Sequence, residues 1–411
     1  MSELFDTKKI KYMFSVVSGA TPDSKNPDFW DGDIDWITPS DYKTCDKVIT
    51  RSARKLSVEG YKSCGTTIVP QNSIIISKRA PIGTVALSGI PLCTNQGCLS
   101  LVPIDKDIPE FYYFALSVSK EKLESLGEGT TFQEMSAAKF ANMRMIHPVK
   151  EEQMKIVEYL NGKCSNIDEA ISLHNSIIDK LEEYKRACIV AGVSGGFIKG
   201  EMKDSGIKWM QSVPSDWNVI PLWVLFNERK HKNSLALETN LLSLSYGNIK
   251  RKDIETKEGL LPENFNGYNI IEEGDIVLRL TDLQNDMKSL RTGLVKEHGI
   301  ITSAYVTLKP IAEVNSAYYH YLLHAYDVMK VFYSMGEGIR QNLNYDELSR
   351  MLVPQPSLPQ QAEIVAYLDE KCAKVNEAIA RQEEAITKLE EYRKSVIYNA
   401  VTGKIDCQKG A

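Results

Sequence analysis

Two short stretches of the chain have residue types that could do chemistry. Asp23, after Pro22, and Asp41, followed by Tyr42 and Lys43, could hold a divalent cation between carboxylates while the lysine assists attack on a phosphodiester. Asn26-Pro-Asp-Phe29 has the outline of the Asn-Pro-Pro-Tyr loop that holds an adenine for methylation, but such a loop follows a buried strand, and Ser18 to Lys25 is polar. There is no Gly-x-x-x-x-Gly-Lys-Ser/Thr cradle for ATP phosphates. Gly162-Lys163-Cys164-Ser165 lacks the first glycine and lies inside a helical pattern. Cys45, Cys64, Cys93, Cys98, Cys164, Cys188, Cys372 and Cys407 show no Cys-x-x-Cys spacing and have no nearby His, so no metal site is expected and the thiols are expected to be reduced. The reading favoured is therefore a binding protein, not an enzyme. A metal-dependent nuclease using Asp23, Asp41 and Lys43 stands as one alternative, and a coiled-coil adaptor without a DNA role as another.

Composition agrees with a soluble, multidomain chain. With 411 residues, 43% hydrophobic and 25% charged, two or more ordinary globular domains are expected. No apolar run is long enough to cross a bilayer, and Met-Ser-Glu-Leu-Phe-Asp is no signal peptide, so a cytoplasmic protein without a membrane is expected. A net charge of −5 argues mildly against free-standing nucleic-acid binding, although local patches or a basic partner could supply the positive field.

What must position any functional residue is a stretch that occurs twice. Gln153 to Gly196 aligns without a gap on Gln361 to Lys404, 208 residues later, and 19 of the 44 paired positions are identical. That period is too long for stacked solenoid repeats, so one unit is used in duplicate. Apolar residues keep steps of four and three along Leu160, Cys164, Ile167, Ile171, Ile178 and Leu181, with a polar His174 in the series. Leu368, Cys372, Val375, Ile379, Ile386 and Leu389 do the same around a polar Gln382. Such spacing is a coiled-coil seam and predicts two helices of roughly 40 residues, about 60 Å each. Each should begin after a Pro-containing stretch, His147-Pro148 or Pro354 to Pro359, and end at a glycine, Gly192 or Gly403. Two unrelated helices would not share outward residues such as Glu182 and Glu183 with Glu390 and Glu391. His174 and Gln382 either meet near the middle of the pair and fix its register, or simply reach solvent.

The rest of the chain falls into two α/β units. Residues 1–150 form the first, with strands at Ser73–Ser77, Thr84–Leu87 and Cys98–Val102, a helix from Phe111 to Leu126, and a short helix from Ser136 to Phe140. Residues 151–192 are the first long helix and 193–204 a glycine-rich linker. Residues 205–357 repeat the plan, with strands at Asp275–Leu278 and Thr302–Leu308 and an aromatic helix from Ala317 to Tyr333. Residues 358–402 are the second long helix and 403–411 a tail. The fold class is α/β (α+β), two similar domains and two long helices in an antiparallel coiled coil with internal pseudo-twofold symmetry.

At this level the chain resembles a known family, the specificity (S) subunits of type I restriction-modification systems. The likeness lies in Gly19-Ala-Thr-Pro22 running on to Phe29-Trp-Asp-Gly-Asp-Ile-Asp-Trp-Ile-Thr-Pro39, in Thr94-Asn-Gln-Gly97 and Gly129-Thr-Thr-Phe132. It continues in Ser205-Gly-Ile-Lys-Trp209, Pro214 to Trp217 and Ala400-Val-Thr-Gly-Lys-Ile-Asp406. The first domain lacks a Ser-Gly-Ile-x-Trp opening, and the second has Ile301-Thr-Ser-Ala-Tyr305 in place of Thr-Asn-Gln-Gly.

The resemblance implies two target-recognition domains, each reading one half of a bipartite, asymmetric double-stranded DNA target. It also implies that the helices act as spacer and docking surface for a pair of methyltransferase subunits, with restriction subunits joining the complex. S-adenosylmethionine, ATP and magnesium would belong to those partners, and this chain would carry no cofactor. Base edges in the major groove are read by Arg or Lys on guanine and Asn or Gln on adenine. The candidates in strand-end loops are Lys78, Arg79, Asn95, Gln96 and Gln133 in the first domain. In the second they are Arg279, Gln284, Asn285, Arg291, Arg340, Gln341 and Asn342. Thr130, Thr131 and Lys139 suit phosphate contacts.

Overall fold

In the computed structural model the described residues are 5–44, 47–104, 108–128, 133–254, 264–283, 290–335 and 342–407. The chain divides into two compact units, and the division falls within the long helices: residues 1–174 with 384–411, and residues 175–383. Each unit therefore holds one sheet-rich domain together with part of both helices.

The first unit is built on a five-stranded sheet in the order Phe14–Ser18, Cys98–Pro103, Ile74–Ser77, Val85–Ser88, Val48–Ile49. The middle strand, Ile74–Ser77, is buried on both faces, which is why it reads as an unbroken apolar run. Beside it Trp30–Ile37 pairs with Arg54–Leu56 and Cys93–Thr94. The expected helix from Phe111 to Leu126 is two helices, Pro109–Ser117 and Lys120–Glu124. Ser117 and Ser119 hydroxyls donate back to the Phe114 and Ala115 carbonyls at the break, the local competition that stops a helix at serine.

The second unit repeats the central frame in a four-stranded sheet, Phe226–Glu228, Val306–Pro310, Ile276–Leu278, Thr292–Leu294. Register repeats with it: Ile74 pairs with Leu101 and Leu87 in one sheet, Ile276 with Leu308 and Leu294 in the other. The core aromatics repeat as well, with Phe14 edge-on to Tyr112 at 5.0 Å and Phe226 edge-on to Tyr319 at 5.3 Å. The expected strand from Thr302 starts only at Val306, because Thr302 to Tyr305 is a turn closed by Tyr305 N on Thr302 O. The aromatic helix is Ser316–Val328 and stops short of Tyr333, with Lys330 in the left-handed region at φ +61° and Val331 N donating to Tyr326 O. The segment expected to be a linker is shorter than 193–204: a hairpin, Met202–Ile207 with Met210–Pro214, begins inside it.

The long helices are Lys150–Val193 and Leu358–Val401, 44 residues each. All fourteen seam positions are buried or half-buried, while residues such as Glu182, Glu183, Glu390 and Glu391 on the outer faces are exposed. In the first unit Ile156, Val157 and Leu160 share one apolar cluster with Val396, Ile397, Ala400 and Val401, and Asp168 is ion-paired with Arg393. In the second, Ile189 and Val193 pack with Ile364, Leu368 and Cys372, and Lys185 Nζ donates to Asn376 Oδ1 at 2.7 Å. In each unit later residues of one helix meet earlier residues of the other, so the pairing is antiparallel. Gly192 does not end the first helix. It sits where a Cβ would come within 2.7 Å of Leu368 Cδ2, a close-approach position. The cap is Gly195 at φ +74°, with Gly196 N on Ala191 O, and its counterpart is Gly403 at φ +73°, with Lys404 N on Asn399 O.

Candidate nucleic-acid interface

In the first unit three chain segments meet at the end of the central strand. Lys78 N donates to Gly97 O at 2.9 Å, and Met135 N donates to Lys78 O at 2.8 Å. These bonds bring together Lys78 and Arg79, Asn95 and Gln96, and Gln133, as a shared reading surface requires. Glu134 lies between the two cations, 2.8 Å from Lys78 Nζ and 2.8 Å from Arg79 Nε. Lys78 first, and then Arg79, hold the Glu134 carboxyl below its usual range, so it stays charged and tempers the positive field. Lys78 is largely covered, whereas the Arg79 side chain is 49% exposed and is the outward cation of the pair.

Asn95 Oδ1 accepts from Gly97 N at 2.9 Å, which fixes the turn and commits the oxygen of that amide to the backbone. Gln96 is exposed, and Thr21 Oγ1 donates to its Oε1. Gln133 is exposed, and Lys139, in the short helix Ala137–Asn142, is paired with Glu128. Thr130 and Thr131 lie outside the described residues, as does Gly129-Thr-Thr-Phe132 as a whole.

The opening motif has a physical explanation that its sequence did not disclose. Trp36 Nε1 donates to Ala20 O at 3.0 Å and Trp30 Nε1 to Asp23 O at 3.3 Å, so two indoles hold the loop of Gly19 to Asp23. A Cβ on Gly19 would lie 2.1 Å from Asn95 O, so only glycine lets this loop lie against the Asn95 turn. Arg54, although exposed, stacks on Trp30 at 3.5 Å, a cation–π contact that composition did not single out.

The second unit uses the same frame for different residues. Leu343 N donates to Leu280 O at 2.9 Å and Arg279 N to Arg291 O at 2.8 Å. Asn342 Oδ1 accepts from Asp282 N at 2.8 Å, so Asn342 braces the loop that carries Arg279. Arg291 corrects the sequence reading. Its side chain is fully buried, and the guanidinium donates to the carbonyls of Arg279, Thr281 and Asp282 and to Tyr333 Oη. It shapes the loop from inside and presents nothing to a groove. Gln284, Asn285, Arg340 and Gln341 lie outside the described residues.

The nuclease grouping is not assembled. Asp41 is buried and its carboxylate accepts from Thr38 N, Thr38 Oγ1 and Ala53 N at 2.7 to 2.9 Å, so its oxygens serve its own turn. Asp23 accepts from Lys25 N, and the side chain of Lys43 lies outside the described residues. Among the described residues no cluster of three or more His, Cys, Asp or Glu is placed to hold a metal, and no helix is long and apolar enough to cross a membrane. Burial raises the thiol of Cys93 to about 11.

Comparison with known proteins falls on one group. Residues 2–183 match the family described as type I restriction modification DNA specificity domain. A type I restriction enzyme MjaIX specificity subunit from Methanocaldococcus jannaschii is 26% identical over 425 residues, covering 98% of this chain and 93% of that one. A type I restriction enzyme EcoprrI specificity subunit from Escherichia coli is 30% identical over 131 residues, covering 29% of this chain and 32% of that one. A chain solved in work on complex assembly and conformational transition of the type I R-M system has the same fold, with a TM-score of 0.68, 15% identity and 98% of both chains covered.

Proposed function

We propose that the chain, whose residues 2–183 match the type I restriction modification DNA specificity domain, is as a whole the DNA-reading subunit of such a system, each unit recognising one half of a bipartite target. The observation that carries this reading is the repeated frame. The order and register of four strands recur in both units, as does the bond that ties the segment before the short helix to the end of the central strand, Met135 N on Lys78 O in one and Leu343 N on Leu280 O in the other, yet the residues around that strand end differ: Arg79 and Gln133 in one, Arg279 in the other. One scaffold with two loop sets is what two readers of different sequences require.

The long helices are the spacer of the proposal. Half-sites a few base pairs out of phase lie on different faces of the duplex, so two readers need a fixed separation and rotation. Helices of about 60 Å span at most some 17 base pairs at roughly 3.4 Å each. Their exposed outer faces, rich in Glu and Lys, are offered as the docking surface for a pair of methyltransferase subunits, through which restriction subunits join. The chain itself is a recognition subunit without catalysis in this reading. Methyl transfer from S-adenosylmethionine and ATP- and magnesium-dependent cleavage belong to the partners.

The test is methylation by the assembled complex on duplexes in which one half-site at a time is scrambled. Loss of methylation with either half scrambled is the expected result; methylation that survives scrambling of one half contradicts bipartite reading. The purified chain incubated with DNA and magnesium should leave the DNA intact, and cutting would restore the nuclease alternative.

A further inference from the structure

Between Phe226–Glu228 and Ile276–Leu278 the second unit carries a two-stranded ribbon of Leu242–Ser245 and Asn248–Arg251, where the first unit has the longer strand Trp30–Ile37 paired with Arg54–Leu56. We propose that this ribbon reads DNA, with Tyr246 at its tip and Lys250 on its outer face contacting the half-site assigned to the second unit. The inference rests on the function proposed above and adds to it a reading element outside the strand-end loops.

The two faces of the ribbon differ in chemistry. Leu242 and Leu244 from one strand and Ile249 from the other pack on Val277, Ile271, Val295 and Ile301. Gly293 makes room for them, since a Cβ there would lie 2.6 Å from Leu244 Cδ1 and 2.9 Å from Ile249 Cδ1. The opposite face is set by the pairs Ser243 with Lys250 and Ser245 with Asn248. It offers two hydroxyls, an amide and an ammonium, and no carboxylate. Those are the groups that contact phosphates and base edges, and a two-stranded ribbon is of a size to enter the major groove.

The tip sets the ribbon apart from an ordinary solvated hairpin. Tyr246 and Gly247 have φ of +47° and +77°, the positive values that a two-residue type I′ turn demands at both central positions. Asn or Gly is the usual first residue, and a bulky aromatic there is disfavoured. Asn248 Nδ2 donates to Tyr246 O at 3.1 Å and holds the turn closed. The Tyr246 side chain nonetheless stands 79% exposed, so packing does not explain its choice. Gly247 lies against Leu290 and Thr292, the two neighbours of Arg291, which shapes the loop that carries Arg279. The aromatic tip thus sits beside the loop that carries Arg279, where its ring can lie against apolar base edges such as the thymine methyl.

Tyr246→Gly and Lys250→Ala in the full chain, assembled with its methyltransferase subunits, test this. Glycine suits the turn, so Tyr246→Gly should leave Tm unchanged or raised. The readout is the ratio of methylation rates on the genomic target and on duplexes with single-base changes, measured separately for each half-site. Each substitution should lower discrimination at the second half-site by roughly tenfold or more and leave the first untouched, and Tyr246→Phe should keep most of it. Wild-type discrimination in both variants, or an equal loss at both half-sites, overturns the role of the ribbon while the bipartite reading stands. If the wild-type complex shows no preference at either half-site, the bipartite reading falls first and takes the ribbon with it.

Discussion

Gln153 and Gln361 stand 208 residues apart in the chain and make the same two hydrogen bonds, each within its own unit. Gln153 Oε1 accepts from Ile108 N at 3.0 Å and its Nε2 donates to Pro148 O at 2.9 Å. Gln361 Oε1 accepts from Asn315 N at 2.8 Å and its Nε2 donates to Pro356 O at 2.9 Å. Both side chains are buried, and each ties the start of a long helix to the start of its domain's aromatic helix. The internal repeat therefore extends beyond seam packing to the joint between each long helix and its sheet-rich domain.

Removing either amide leaves a buried N–H and a buried carbonyl without partners. Gln153→Ala and Gln361→Ala should each cost about 1 to 3 kcal/mol, read as a shift in urea midpoint. Hydrogen exchange should show the loss confined to the unit that carries the substitution.

Arg79 and Arg291 should respond in opposite ways. Arg291→Ala orphans the carbonyls of Arg279, Thr281 and Asp282 and empties a fully buried site, so a destabilisation of about 3 kcal/mol or more is expected in thermal unfolding. Arg79 makes a half-exposed pair with Glu134, of the kind that contributes roughly 0 to 1 kcal/mol to folding. Arg79→Ala should therefore fold normally and lose about 1 to 3 kcal/mol of discrimination at the first half-site. Unchanged sequence preference would remove Arg79 from the reading surface.

The second unit should weaken in mild acid. Burial lowers both His320 and His324 to about 4, and Lys296 near His320 and Lys185 and Arg186 near His324 act in the same direction. Asp369 acts the other way on His320. The Nε2 of His320 is sealed from solvent without a partner. An unfolded histidine takes its proton near pH 6.5, so below that pH the unfolded state binds more protons than the folded one. Stability from these residues is complete above about pH 6.5 and is lost as pH falls toward 4. A Tm that declines from pH 7 to pH 5, and declines less in His320→Gln, is the expected result.

Much of this was legible in the sequence because it is periodic. The steps of four and three from Leu160 to Leu181 and from Leu368 to Leu389 placed both seams, and opposite running followed from the duplication. The repeat also showed Gln153 over Gln361, but identity alone could not say what the amides hold. Burial was the hidden variable at Arg291: a loop arginine between two strands has the same spelling whether it faces a groove or braces its own backbone. Asn342 and Asn95 were similarly opaque, since an amide that reads adenine and one that closes a turn are the same residue. Tyr246 was missed because Ser-Tyr-Gly-Asn lacks the Asn-Gly that marks a two-residue hairpin. The helix end at Gly195 was misplaced at Gly192 because both are glycines, and only the packing of Leu368 separates a close-approach glycine from a cap.

The claim that the two units read separate halves of one target is tested most directly by mapping methylated sites across the host genome. The gene would be present, deleted, or carrying residues 205–357 exchanged for those of a relative. The account predicts one bipartite, asymmetric motif that vanishes on deletion and changes in one half only on exchange. A contiguous motif, or one in which the exchange alters both halves or neither, would contradict it.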